Sequence, residues 1–141
     1  MSAILTRDEF LKLTGVEPYQ LTRWSNYGIL PQPLPRVYRR DNAIAAIVTK
    51  ELRARNFWIS SIRRLVRTAV AAYSARGATP YLVVTSKASG QAKNPTARAH
   101  AIPAGQLFEF LEKQNTGAML VNLPAIALQV DTFYATHGMP V

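Results

Sequence analysis

Cysteine is absent from this 141-residue chain, which excludes disulfides and thiolate metal centres alike. Histidine is scarce: His100 and His137 have neither a second histidine nor an acid at ligand spacing, so both read as structural or surface residues. Acidic residues are few, 8 against 17 Lys and Arg. Three of them lie in the second half, Glu109, Glu112 and Asp131, and none pairs with a base. Glu109 and Glu112 are spaced like a solvated helix face. No catalytic constellation assembles, so neither an enzyme nor a cofactor is expected. No apolar run approaches the length of a membrane span, and Met1-Ser2-Ala3 opens no secretory signal. A cytoplasmic, nucleoid-associated protein without membrane contact is the expectation.

What the chain has in excess is positive charge, +9 in all. Residues 1–76 hold thirteen Lys and Arg with five acids, a balance of +8, while residues 77–141 hold four with three, a balance of +1. A basic half beside a neutral half predicts two domains: 1–76 binding a polyanion, and 77–141 dimerising or sensing an effector. Apolar residues make up 48% of the chain, enough for a core.

Thr6 and Glu9 form a capping box at the start of a first helix, with Leu5 and Phe10 as its hydrophobic staple, and Gly15 stops it. A second short helix runs over 18–27, from Pro18 in its first turn to Gly28 beyond its end. Leu21 and Trp24 share its inner face; Tyr19, Thr22, Arg23 and Asn26 recur at helical spacing on the other. A helix, a tight turn and a helix with that polar face read as a helix-turn-helix. Pro31, Pro33 and Pro35 forbid helix next, and Val37-Tyr38 favours a short strand between Arg36, Arg39 and Arg40. Residues 31–40 therefore read as a wing along a phosphate backbone.

Asp41 is the expected N-cap of a third helix with Ile44, Ile47, Val48 and Leu52 inward, and Ser60 or Ser61 that of a fourth. In the fourth, Ile62, Leu65, Val66, Ala69, Val70 and Tyr73 face inward. Arg63, Arg64 and Arg67 fall together on the outer face, where they could hold phosphate, although a solvated face is the reading taken. Gly77-Ala78-Thr79-Pro80 marks the domain boundary. Beyond it come a buried strand at 81–85, a polar loop over 86–96, a weakly alternating strand at 98–102 and a helix following Pro103. A third strand is expected at 118–123. Residues 124–136 fit a helix through Ala127, Val130, Phe133 and Tyr134, and also a strand through Ile126, Leu128 and Val130; helix is the reading taken. The fold class is thus α+β, a mostly helical N-terminal winged helix-turn-helix followed by a small mixed α/β unit.

The ordered set Gly15-Val16-x-Pro18-x-x-Leu21, Trp24, Tyr27-Gly28-Ile29-Leu30-Pro31, Arg36-x-Tyr38 and Phe57-x-Ile59-x-x-Ile62 resembles the MerR family of bacterial regulators, over about residues 3–70. The resemblance implies a winged helix-turn-helix binding promoter DNA as a dimer. Arg36 and Tyr38 would be wing contacts to the backbone. Tyr19, Gln20 and Arg23 would be groove or phosphate contacts, and Trp24 would pack beneath the helix. Thr22 stands where the family has a DNA-contacting arginine, with Arg23 beside it to supply a cation. Asn56 replaces a glycine, and no long heptad helix follows.

The functional expectation is a transcriptional regulator that binds double-stranded operator DNA as a homodimer through the recognition helix 18–27 and the wing. Its candidate contacts are Tyr19, Gln20, Thr22, Arg23, Arg36, Tyr38, Arg39 and Arg40. RNA polymerase or a small-molecule effector are its further possible partners. Two alternatives stand beside it. One is a DNA-bending or excisionase-like accessory factor; the other is a small-molecule-binding protein acting through its second half, where Phe108, Phe110, Phe133 and Tyr134 suit core packing better than a pocket.

Overall fold

The computed structural model describes residues 3–30, 37–75, 77–85, 97–114 and 117–140. Residues 31–36, with Arg36, and the expected polar loop over 86–96 lie outside them. The fold is mixed α+β. Helices α1 (Arg7–Thr14), α2 (Pro18–Asn26), α3 (Arg40–Ala54) and α4 (Ile59–Ser74) occupy the first half. The second half holds strands β2 (Tyr81–Thr85), β3 (Arg98–Ile102) and β4 (Ala118–Val121), with helices α5 (Leu107–Glu112) and α6 (Leu123–His137). Two short terminal strands, β1 (Ala3–Ile4) and β5 (Met139–Pro140), pair antiparallel and bring the two ends of the fold together.

The helix ends follow local chemistry. At the start of α1, Glu9 N–H donates to Thr6 Oγ1 and Thr6 N–H to Glu9 Oε1, the reciprocal pair that satisfies two otherwise orphaned amides. Helices α2 and α3 end in the same motif. After α2, Gly28 takes the left-handed conformation at φ 72°, its N–H donates to Ser25 O, and Ile29 N–H reaches back to Trp24 O at 3.0 Å. After α3, Asn56 stands at φ 67°, with Asn56 N–H on Arg53 O and Phe57 N–H on Leu52 O at 3.1 Å. Both are Schellman turns, closed by an apolar residue just past the turn: Ile29 and Phe57 are buried, as are Trp24 and Leu52.

Asn56 is the one non-glycine residue at positive φ among the described residues. A left-handed residue with a Cβ carries a steric cost of about 1–2 kcal/mol, which asparagine partly offsets by local hydrogen bonding. Asn56→Gly is therefore expected to leave stability unchanged within about 0.5 kcal/mol, and Asn56→Val to lower it by about 1 kcal/mol or more. Urea unfolding midpoints of the two variants check this.

Two helix starts differ from expectation. Helix α3 begins before Asp41: Arg39 is its N-cap, and Arg39 N–H donates to Asn42 Oδ1 at 2.9 Å. Asp41 falls in the first turn, where its charge suits the helix dipole. Helix α4 begins at Ile59 with Trp58 as N-cap, ahead of Ser60 and Ser61, because the turn that buries Phe57 has already reversed the chain.

Helix α3 is the centre of the molecule. Every residue from 42 to 49 is buried, more than the apolar stripe of Ile44, Ile47 and Val48 requires. The extra faces are covered by α4, α1 and α6. Helix α6 comes from the second half and lays Leu123, Val130 and Tyr134 into the core that contains Phe10, Trp24 and Val48. The boundary expected at Gly77 therefore does not divide the core: both halves contribute to a single one.

The three-stranded sheet has the order β3-β2-β4, with both pairings antiparallel. Its inner face, Leu82 and Val84 of β2, joins the main core. On the outer face Val83 pairs with His100 and Leu120, and α5 sets Phe110 5.2 Å from the His100 ring. The segment 123–137 is helix: Asn122 Oδ1 accepts Ala125 N–H at 3.2 Å, and Pro124 fits the first turn. That cap also ends β4 at Val121, short of the expected Leu123.

Candidate functional site

Helix α2 presents one side to the core and one to solvent. Leu21 and Trp24 anchor it, both buried. On the outer side Tyr19 is 66% and Tyr27 46% exposed, and the Arg23 guanidinium lies 5.9 Å from the centre of the Tyr27 ring. Thr22 and Asn26 are exposed between them. Tyr19, Arg23 and Tyr27 are spaced by four, so they form a row of aromatic, cation, aromatic along the helix. Tyr27 belongs to this exposed row, and the reading of the polar face missed it, although its spacing from Arg23 carried the signal.

Two neighbours have local duties. Gln20 is half-buried, and its Oε1 accepts Glu17 N–H at 3.1 Å, closing the first turn of α2. The Thr22 hydroxyl donates to Pro18 O at 3.3 Å. Each still shows polar atoms at the surface, but neither side chain is wholly available to a ligand.

The segment following residue 36 corrects two of the contacts assigned to the wing, Tyr38 and Arg40. Tyr38 is only 8% exposed, and its ring stacks on Phe10 at 4.4 Å between centroids. Its backbone forms an isolated antiparallel bridge with Leu5, and Tyr38 O accepts both Leu5 N–H at 2.8 Å and the Tyr134 hydroxyl at 3.1 Å. Tyr38 is therefore a packing residue. Arg40 is half-buried, with Nε 3.3 Å from Asp131 Oδ1 and its guanidinium 5.2 Å from the Tyr134 ring. It ties α3 to α6 and does not point freely outward. Of the expected cations in this segment, Arg39 alone is both described and exposed; Arg36 lies outside the described residues.

Asp131 also accepts the Tyr73 hydroxyl at 2.5 Å, so one carboxylate joins α3, α4 and α6. Burial first, and then this hydrogen bond, push the Tyr73 hydroxyl well above its usual pKa. Burial does the same to Tyr134. Both rings stay protonated donors.

Other cations of the basic half hold carbonyls. Lys50 Nζ donates to Gly15 O at 3.4 Å at the end of α1, Arg53 Nη1 to Phe57 O at 2.7 Å, and Arg64 Nη2 to Ala97 O at 2.7 Å. Arg63 and Arg67 stand exposed on α4, as expected. Some of the positive charge is thus structural: Lys50 and Arg53 serve carbonyls just past the ends of α1 and α3, and Arg64 one at the start of β3.

Phe108, Phe110, Phe133 and Tyr134 share no pocket. Phe108 is 80% exposed, Phe110 lies against His100, Phe133 is half-buried beside His137, and only Tyr134 is fully in the core. Among the described residues no group of three or more His, Cys, Asp or Glu is placed to hold a metal ion, and no helix is long and apolar enough to cross a membrane. In comparisons with known proteins, no family model and no curated protein matches the chain.

Proposed function

We propose that this protein is a sequence-specific DNA-binding regulator of the MerR-like, winged helix-turn-helix kind, with α2 as its recognition helix. The observation that carries this reading is the exposed row Tyr19–Arg23–Tyr27 on a short helix fixed from behind by Leu21 and Trp24. An arginine supplies the paired donors that read guanine in the major groove, and tyrosine hydroxyls reach phosphates. Pinning the helix by a capped start and a Schellman end removes the freedom that would blur such contacts. Arg39 and, from the sequence, Arg36 add phosphate contacts beside it.

The left-handed Asn56 lends support to the resemblance, because its conformation is the one glycine adopts most easily. So does the bulk of positive charge in residues 1–76. A recognition helix of nine residues reaches few base edges. Useful specificity then requires two copies on two half-sites. Effector or RNA polymerase contacts would fall to the second half.

Selection from random duplex DNA, followed by a salt titration, tests the proposal. The expected result is an enriched motif of two half-sites bound with a steep salt dependence. Salt-sensitive binding without any enriched motif would favour a shape-reading, DNA-bending factor instead. Absence of DNA binding at low salt would refute both.

A further inference from the structure

Glu51 and Glu109 bracket a stretch of chain without an acidic residue. Residues 52–108 carry nine Lys and Arg and no Asp or Glu, a balance of +9, while the rest of the chain carries eight of each sign. The whole net charge therefore falls between the end of α3 and the start of α5. Residues 1–51, which include α2, hold seven cations with five acids, a balance of only +2. Attraction to a polyanion follows uncompensated charge, so its centre lies away from the recognition helix.

Helix α4 gathers part of that charge on one side. Its exposed positions are Ser60, Arg63, Arg64, Arg67, Ala71 and Ser74, which recur at helical spacing as a single stripe. Arg64 is held by Ala97 O. Arg63 and Arg67, one turn apart, meet neither an acid nor a carbonyl among the described residues. Like charges at this spacing destabilise a helix, and an ordinary solvated face relieves them with interspersed acids. Here the acids that reach α4 are Asp131 and Asp41, and they meet Tyr73 and Ser74 about two turns further on. The stripe also lacks any large apolar residue, which the centre of a protein interface or a membrane-bound helix requires. A ligand bound through charge and hydrogen bonds alone is a phosphate backbone.

We infer that Arg63 and Arg67 of α4 form a second contact to duplex DNA, holding phosphates outside the base pairs that α2 reads. The inference deepens the DNA-binding reading: α2 supplies selectivity, and α4 a sequence-independent share of the affinity. Titration of the full chain with a mixed-sequence DNA duplex over a series of salt concentrations tests it. Each lost phosphate contact lowers the slope of log affinity against log salt by about one. The double variant Arg63→Gln, Arg67→Gln is expected to lower it by about two. Between about 50 and 200 mM salt, wild type should then lose about 10-fold more affinity than the variant. Lysine at both positions should keep the wild-type slope, because a point charge serves a phosphate. Arg98→Gln removes a like charge from the outer face of the sheet, where Arg98 pairs with Thr85, and should leave the slope unchanged.

Both arginines are exposed, so the unfolding midpoint of the glutamine variant should match that of wild type. Should that variant fail to fold, Ser60→Cys decides. It would be the only thiol in the chain, and a photoreactive azide attached there should cross-link to the duplex. A slope unchanged in the double variant overturns the inference, as does a slope that Arg98→Gln lowers as much per charge. Where the glutamine variant does not fold, failure of Ser60→Cys to cross-link overturns it. The readout needs no motif, which separates the two proposals. A protein that selects a motif, with a slope the double variant leaves unchanged, keeps its recognition helix and loses the α4 contact. One that selects none, but whose slope falls by two in the double variant, keeps the α4 contact and loses the recognition helix.

Discussion

A chain cut after residue 76 is expected not to fold. The buried face that α6 lays against α3 contributes Leu123, Val130 and Tyr134, each with at most 1% of its surface exposed. Burying a side chain of that size stabilises by about 1.5–3 kcal/mol, so the three together supply about 5–9 kcal/mol. That is comparable to the entire stability of a typical small domain, about 5–15 kcal/mol. The cut would also remove the Tyr134 hydroxyl from Tyr38 O, Asp131 from Arg40 and Tyr73, and the β1–β5 pairing. Helix α3 would then expose some of its run from 42 to 49 to water. Far-UV circular dichroism with urea titration checks the expectation: the full chain should melt in one cooperative transition, and the cut chain should show none. A cooperative transition for residues 1–76, at a midpoint near that of the full chain, would restore the picture of two independent domains.

This dependence on α6 also explains what the sequence could and could not reveal. Signals that act over three or four residues were legible. The Thr6–Glu9 capping box, the Gly15 and Gly28 stops and the inward Leu21–Trp24 pair all stand where their spacing puts them. The strands at 81–85 and 98–102 were legible for the same reason. What failed were assignments whose partners lie far along the chain. Tyr38 and Arg40 look like a wing's surface contacts until Phe10, Asp131 and Tyr134 meet them. Nor do Ala45, Ala46 and Thr49 resemble a second core face of α3; they become one only because other helices cover them. A local rule cannot report a contact whose other half is ninety residues away.

Arg23→Ala is expected to lower affinity for the selected DNA motif about 10- to 100-fold and to flatten the preference at one base pair of each half-site. A bidentate arginine–guanine contact discriminates by about 1–3 kcal/mol, which sets that range. Arg23 is suited to the role because it is exposed, carries no ion pair among the described contacts, and is held only by the Tyr27 ring. Arg40→Ala makes the contrast. Its guanidinium already serves Asp131 and the Tyr134 ring, so its loss should appear in the unfolding midpoint and not in the affinity of the folded protein. The pair is half-exposed, and a cost of about 0.5–1 kcal/mol is expected. Affinity and stability measured side by side on the two variants therefore separate a residue that reads DNA from one that holds the fold. Equal weakening of Arg23→Ala on the motif and on random duplex would make Arg23 a phosphate contact and pass base reading to Tyr19 or Asn26. A large affinity loss in Arg40→Ala at unchanged stability would return that arginine to the interface.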